Sequence, residues 1–245
     1  MIISPSAISP YKIPTFQSVG EVPFSFGNAL QFDGVNDYVS VVPIFQNNNI
    51  FTVNCWFKFT TIGTSRKYII DEGSGSFYRT AIALNFGTTG KVGAKCRNSG
   101  TEVQLESTTT IVSDTWYFIS FVYNSTTDEH FLYINGVEED SSTVNAGTPT
   151  GSAALYFGNA ATNLSLPADV TLDEVSIYNT SLISSEITSL FNSGNGNLAT
   201  NYSPESLIAY WRMNESGTDT VAVDETGTYN GTLNNFPTSG MWVAH

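Results

Sequence analysis

The segment Phe51-Thr-Val-Asn-Cys-Trp-Phe-Lys-Phe59 carries Phe51, Val53, Cys55, Phe57 and Phe59 at every second position, with Thr52, Asn54, Trp56 and Lys58 between them. Side chains of a strand alternate between its two faces, so this run predicts a β-strand with one buried face. Shorter runs follow at Tyr68–Ile70, Ala81–Phe86, Lys91–Cys96 and Glu102–Glu106, separated by Gly-Ser, Gly-Thr and Asn-Ser-Gly turns. Short strands with such turns about every ten residues predict a sandwich or a barrel.

Upstream, Ala29–Val39 reads as strand, polar turn, strand. Gly34 takes positive φ freely, and Asp33, Asn36 and Asp37 bond to their own backbone, so Asp33–Asp37 predicts a tight hairpin turn. Downstream, Asp114–Tyr123 and Phe131–Val137 predict a strand pair, the second ending in an Asn135-Gly136 turn, followed by strands at Leu155–Asn159 and Val170–Asn179. Ile183, Ile187, Leu190 and Phe191 then fall on one face of a short helix, with Ser184 or Ser185 as N-cap and Gly194 as stop.

These stretches, in this order, resemble laminin G-like domains of the concanavalin A-like lectin/glucanase superfamily. The resemblance implies an all-β fold, a two-sheet antiparallel jelly-roll sandwich with one short helix. It also covers Ser206–Glu215 and Asp224–Leu233, which resemble the strand and loop that normally open such a domain but here come last. Residues 26–245 are therefore expected to form one jelly roll, with 205–245 supplying the displaced strands as in a circular permutant. A second, truncated domain is the alternative, although so short a fragment would not bury Leu207, Ile208, Tyr210 and Trp211 alone. Residues 1–25, with Pro5, Pro10, Pro14 and Pro23 among scattered apolar side chains, predict an extended arm that docks on its own domain or on a neighbour.

Nine basic against 22 acidic residues give a net charge of −13, which argues against a nucleic-acid partner. Seven of the nine basic residues lie between Lys58 and Arg97. That segment is either a set of solvated hairpins or a contact surface for an acidic polymer or a second copy. Cys55 and Cys96 are expected to be buried free thiols. No stretch approaches the roughly 20 apolar residues of a membrane span, so no membrane insertion is expected. The first ten residues lack a basic n-region and a cleavage pattern, so the chain is read as made in the cytoplasm without its own export signal.

The family often holds calcium near the sandwich edge, and calcium takes about six to eight hard oxygen ligands. Among the matching stretches Asp33, Asn36, Asp37, Asp173, Asp224 and Asn230 bear such oxygens. They are either ligands of a Ca2+ ion or turn residues bonding their own backbone. Planar aromatics for a sugar face are offered by Tyr78, Trp56, Tyr123 and Trp211; Tyr78, beside Arg79 and near Arg66 and Lys67, is the one expected to be exposed as a ligand-binding group. The glucanases' Glu-x-Asp-x-x-Glu strand is absent, and two histidines without a nucleophile elbow give no hydrolase triad. The expected function is non-enzymatic: a phage virion surface component, head decoration or fibre, that binds carbohydrate or cell-surface glycan and contacts other virion proteins or copies of itself through the arm. A secreted or cell-surface lectin in an extracellular setting is the alternative, and a polysaccharide hydrolase a distant third.

Overall fold

A computed structural model describes residues 24–74, 78–151 and 153–245; the arm predicted over 1–25 lies outside them but for its last two residues. The strands are β1 (Asn28–Gln31), β2 (Tyr38–Val41), β3 (Ile50–Phe59), β4 (Lys67–Ser74), β5 (Tyr78–Leu84), β6 (Val92–Asn98), β7 (Thr101–Glu106), β8 (Tyr117–Asn124), β9 (Glu129–Ile134), β10 (Val137–Ser142), β11 (Leu155–Phe157) and β12 (Val170–Tyr178). Helix α1 (Ser184–Phe191) follows, then β13 (Leu207–Trp211), β14 (Val221–Ala222), β15 (Gly231–Asn234) and β16 (Trp242–Ala244).

These strands build two antiparallel sheets. One runs β10-β9-β8-β3-β12-β1-β16, with β13 pairing the second half of β12 beside β1; the other runs β14-β15-β2-β11-β4-β5-β6-β7. The alternating residues Phe51, Val53, Cys55, Phe57 and Phe59 all point between the sheets, where they meet Val39, Ile70, Ile82, Leu84 and Phe157 in one buried core. This is the sandwich that the strand pattern left open beside a barrel, and the two-sheet jelly roll that the family resemblance implied. Cys55 and Cys96 sit in that core as free thiols.

Three local expectations are corrected. The turn Asp33–Asp37 does not close a hairpin: β1 pairs β12 and β16, whereas β2 pairs β11 and β15 in the opposite sheet. The turn is an arch between sheets, because Leu30 and Val39 both face the core from opposite sides. Strand β3 is buried on both faces rather than one, since Trp56 with Phe118, Tyr178 and Tyr210 forms a second apolar cluster that Ile187 and Leu190 of α1 cover. Finally, α1 is capped by Ile183 rather than by Ser184 or Ser185: Glu186 Oε2 accepts from the Ile183 N–H at 3.0 Å. It ends at Asn192 in the left-handed region, φ 48°, before Gly194.

The C-terminal strands enter both sheets. β13 pairs β12 and β16 pairs β1 in one, while β15 pairs β2 in the other, and Trp211 and Leu233 lie in the common core. No helix among the described residues is long and apolar enough to cross a membrane.

Candidate functional site

Where the arch leaves the first sheet, three short segments converge. Within the arch, Asp33 Oδ1 accepts from the N–H groups of Val35 at 2.8 Å and Asn36 at 3.3 Å, and Asp37 Oδ2 accepts from the Asp33 N–H at 3.0 Å. Gly34, at φ +74°, lets the arch lie against Asp169, since a Cβ there would stand 2.9 Å from the Asp169 Cβ. Asp169 precedes β12 and is held from the end of β3: its Oδ2 accepts from Thr61 N–H at 3.1 Å and Thr61 Oγ1 at 2.5 Å, while Lys67 Nζ reaches its Oδ1 at 2.5 Å. The third wall is the segment before β16, where the Met241 carbonyl accepts from the Gln31 N–H at 2.8 Å.

Between them lies a cleft of about 380 Å³, lined by Gln31, Asp33, Asp37, Thr60, Asp169 and Met241 among others. Asp37 is 1% exposed, and its Oδ1 has no hydrogen-bond partner. Burial raises its pKa to about 6, against the opposing bond from the Asp33 N–H and reinforced by the Asp33 charge. A buried acceptor without a donor is costly, so this carboxylate is matched once a ligand hydroxyl or its own proton reaches it. Three carboxylates line the cleft, and Lys67 pairs one of them, its Nζ 2.5 Å from Asp169 Oδ1.

The six side chains of which some subset is expected to hold a calcium ion are divided among three places. Asp33, Asn36 and Asp37 stay in the arch, with Asn36 exposed. Asp173 lies on the outer face of the first sheet, where its Oδ2 is 2.7 Å from Nδ1 of His245, a ring stacked between Phe26 and Trp116. Asp224 and Asn230 belong to the β14–β15 connection, and Asn230 Oδ1 accepts the Asp224 N–H. Among the described residues no group of three or more His, Cys, Asp or Glu side chains is placed to hold a metal. Asp33 Oδ1 and Asp37 Oδ2 accept backbone N–H groups, and with Asp173, Asp224 and Asn230 held elsewhere the arch alone brings fewer side-chain oxygens together than the roughly six to eight that calcium takes.

The expectation that Tyr78 is exposed is corrected as well. Tyr78 is 2% exposed, on the inner face of β5, and its hydroxyl bonds buried Glu72, which also accepts the N–H groups of Ile44 and Phe45. Trp56, Tyr123 and Trp211 are buried, as their places within strands lead one to expect. Arg66 and Arg79 meet on the outer face of the second sheet around Tyr68: the Arg79 Nη1 donates to its hydroxyl at 2.6 Å, and the Arg66 guanidinium lies over Phe86. Lys67 joins neither, being held at the cleft by Asp169. The basic segment is largely paired within the chain, Arg79 with Asp71, and Lys95 and Arg97 with Glu102.

Sequence reasoning missed Asp169, Thr60 and the Pro237–Met241 wall. An acid directly before the closing strand was the available signal for Asp169; nothing in the sequence placed the wall beside the arch.

The family description "Concanavalin A-like lectin/glucanases superfamily" matches residues 33–188, well over half of the chain. No curated protein matches the sequence. Among solved structures, a proposed carbohydrate-binding protein from Bacteroides ovatus is similar over 91% of this chain, with TM-score 0.68 and 18% identity; the chain spans 62% of that protein's length. A heptameric SAP-like pentraxin from Limulus polyphemus is similar over 67% of this chain and 82% of its own, with TM-score 0.55 and 12% identity. The binding domain of Paraclostridial Mosquitocidal Protein 1 is similar over 68% of this chain and 43% of its own, with TM-score 0.55 and 20% identity. At these identities the likeness is one of fold.

Proposed function

The chain belongs to the concanavalin A-like lectin/glucanase superfamily, and from that premise we propose that it is a non-enzymatic carbohydrate-binding module whose site is the cleft between the arch, Asp169 and the Pro237–Met241 segment. The observation that carries the reading is Asp37, a buried carboxylate with an unmatched oxygen at an open, acceptor-rich cleft. Sugar hydroxyls are donors, and Asp33, Asp37, Asp169, Thr60 and Gln31 offer acceptors at different heights around one volume. The Bacteroides ovatus protein, named for carbohydrate binding, supports the same class of ligand. The sequence lacks the acid-nucleophile strand of the glucanases, in keeping with binding without hydrolysis. Display on a virion surface is the finer form of this reading, with many copies compensating a weak single site; antibody labelling of purified particles tests it.

A glycan array on the full chain, followed by titration of the best ligand, tests the proposal. Asp37→Asn is expected to weaken binding about tenfold or more, since bonds to a charged acceptor are worth about 1.5–3 kcal/mol. A variant that melts like the parent and binds as tightly, or an array without a single ligand, would overturn it.

A further inference from the structure

Next to the acidic cleft lies a second hollow of about 320 Å³, lined by Leu233, Phe236, Pro237 and Met241 together with Thr218, Thr220, Thr238 and Asn235. Pro237 and Met241 line both volumes, so the two hollows lie on either side of one segment. Their relative position is fixed by a ring pair: Phe236 packs edge-on against Phe32, which lines the acidic cleft, with centroids 5.1 Å apart. The second hollow has no charged side chain in its lining. Its floor is apolar, and its rim carries threonine hydroxyls and the Asn235 amide, whose Nδ2 donates to the Asn36 carbonyl at 2.9 Å and leaves its oxygen as an acceptor.

We propose that the saccharide bound in the acidic cleft is an uncharged, N-acetylated amino sugar whose acetamido group occupies this second hollow. The proposal rests on the carbohydrate reading of the first cleft and adds its ligand class. Two complementarities select it. Asp33 and Asp37, which no cation pairs at the cleft as Lys67 pairs Asp169, repel sugars carrying carboxylate, sulfate or phosphate, in a chain of net charge −13, and favour hydroxyl donors. An acetamido group presents a methyl for Leu233, Phe236 and Met241 and one amide donor and acceptor for the hydroxyl and amide rim. A free amine would be drawn to the carboxylates and would leave the apolar hollow unfilled.

The test is titration of the full chain by NMR with methyl glycosides of the gluco, galacto and manno series, each as the plain hydroxyl sugar, the N-acetylated amino sugar and the uronic acid. In at least one series the N-acetylated member is expected to bind about tenfold tighter than the plain sugar, its acetyl methyl receiving the strongest saturation transfer, and the uronic acid weakest. Thr218→Trp, an exposed substitution that fills the hollow, should bring the N-acetylated and plain members to equal affinity. Plain sugars binding as tightly as their N-acetylated partners in every series would overturn this inference while leaving the carbohydrate reading intact. Tighter binding of uronic acids would overturn it through its charge argument, and no binding by any sugar would overturn both.

Discussion

Asp224→Ala asks how firmly the C-terminal strands are tied into the sandwich. The Asp224 carboxylate is 2% exposed and gathers five donors. Oδ1 accepts the N–H groups of Tyr210 at 2.8 Å and Thr226 at 3.0 Å; Oδ2 accepts Thr226 Oγ1 at 2.6 Å and the N–H groups of Thr228 at 3.0 Å and Tyr229 at 2.8 Å. Alanine frees all of them, but Thr226 and Thr228 are exposed and turn to water. Tyr210, on β13, and half-buried Tyr229 do not. Two stranded donors, at about 1.5–3 kcal/mol for each lost bond to a charge, predict a cost of about 3–6 kcal/mol, a large part of the roughly 5–15 kcal/mol that holds a domain together. Asn, which keeps one acceptor oxygen, should cost about half as much. Urea unfolding followed by tryptophan fluorescence measures this directly, because Trp211 donates to the Tyr229 carbonyl at 2.9 Å and reports the same connection. Burial alone would raise the Asp224 pKa, but the bonds from Thr226, Tyr210 and Tyr229 outweigh it and the group is lowered. Its contribution is therefore present above the ordinary carboxylate pKa, near 4, and lost as the pH falls through the lower folded value. A loss below about 1 kcal/mol for the alanine variant, or a separate second transition, would refute the claim that this carboxylate joins β13 to the β14–β15 connection within one cooperative unit.

Other perturbations probe the remaining ties. Burial raises Asp173 to about 8, and burial followed by the Asp173 charge raises Glu174 as well. The folded chain thus keeps protons that the unfolded chain releases near pH 4, so this stabilisation is complete below about pH 4 and lost as the pH climbs through about 8. His245, lowered to about 4 by burial and the Lys58 charge, acts with the opposite sign only between about pH 4 and 6.5. Urea midpoints should therefore fall between about pH 7 and 8.5, and a flat profile, or one that Asp173→Asn leaves unchanged, would contradict this. Gly158→Ala puts a Cβ 2.2 Å from Phe32 Cδ1 at φ +80°, and should cost about 3 kcal/mol in thermal or urea unfolding. Chelation with EDTA should leave the melting temperature unchanged, because the six candidate side chains are divided among three places and the arch alone offers too few oxygens for calcium; a fall of several degrees would show that they hold an ion.

Much of the fold was legible in the residues themselves. Period-two alternation in Phe51–Phe59 names the core face of β3, because side-chain direction in a strand is set by covalent geometry alone. The Asn135-Gly136 turn is equally local: both residues take positive φ, 52° and 76°, which that pair tolerates better than most. What remained hidden depends on partners distant in sequence. The Asp33–Asp37 turn looks the same whether its flanking strands pair with each other or with different sheets, and only competition from β12, β11, β15 and β16 for their edges makes it an arch. Tyr78 stands in the basic segment that suggested exposure, yet its strand parity turns it inward onto Glu72, a carboxylate that in turn pins Ile44 and Phe45. The cleft joins the arch to Asp169 and Met241, which follow it by more than 130 and 200 residues in the sequence. Periodicity and turn chemistry act over a few residues and so are written in the sequence, whereas a binding volume exists only where separate segments meet, and sheet pairing alone decides which segments those are.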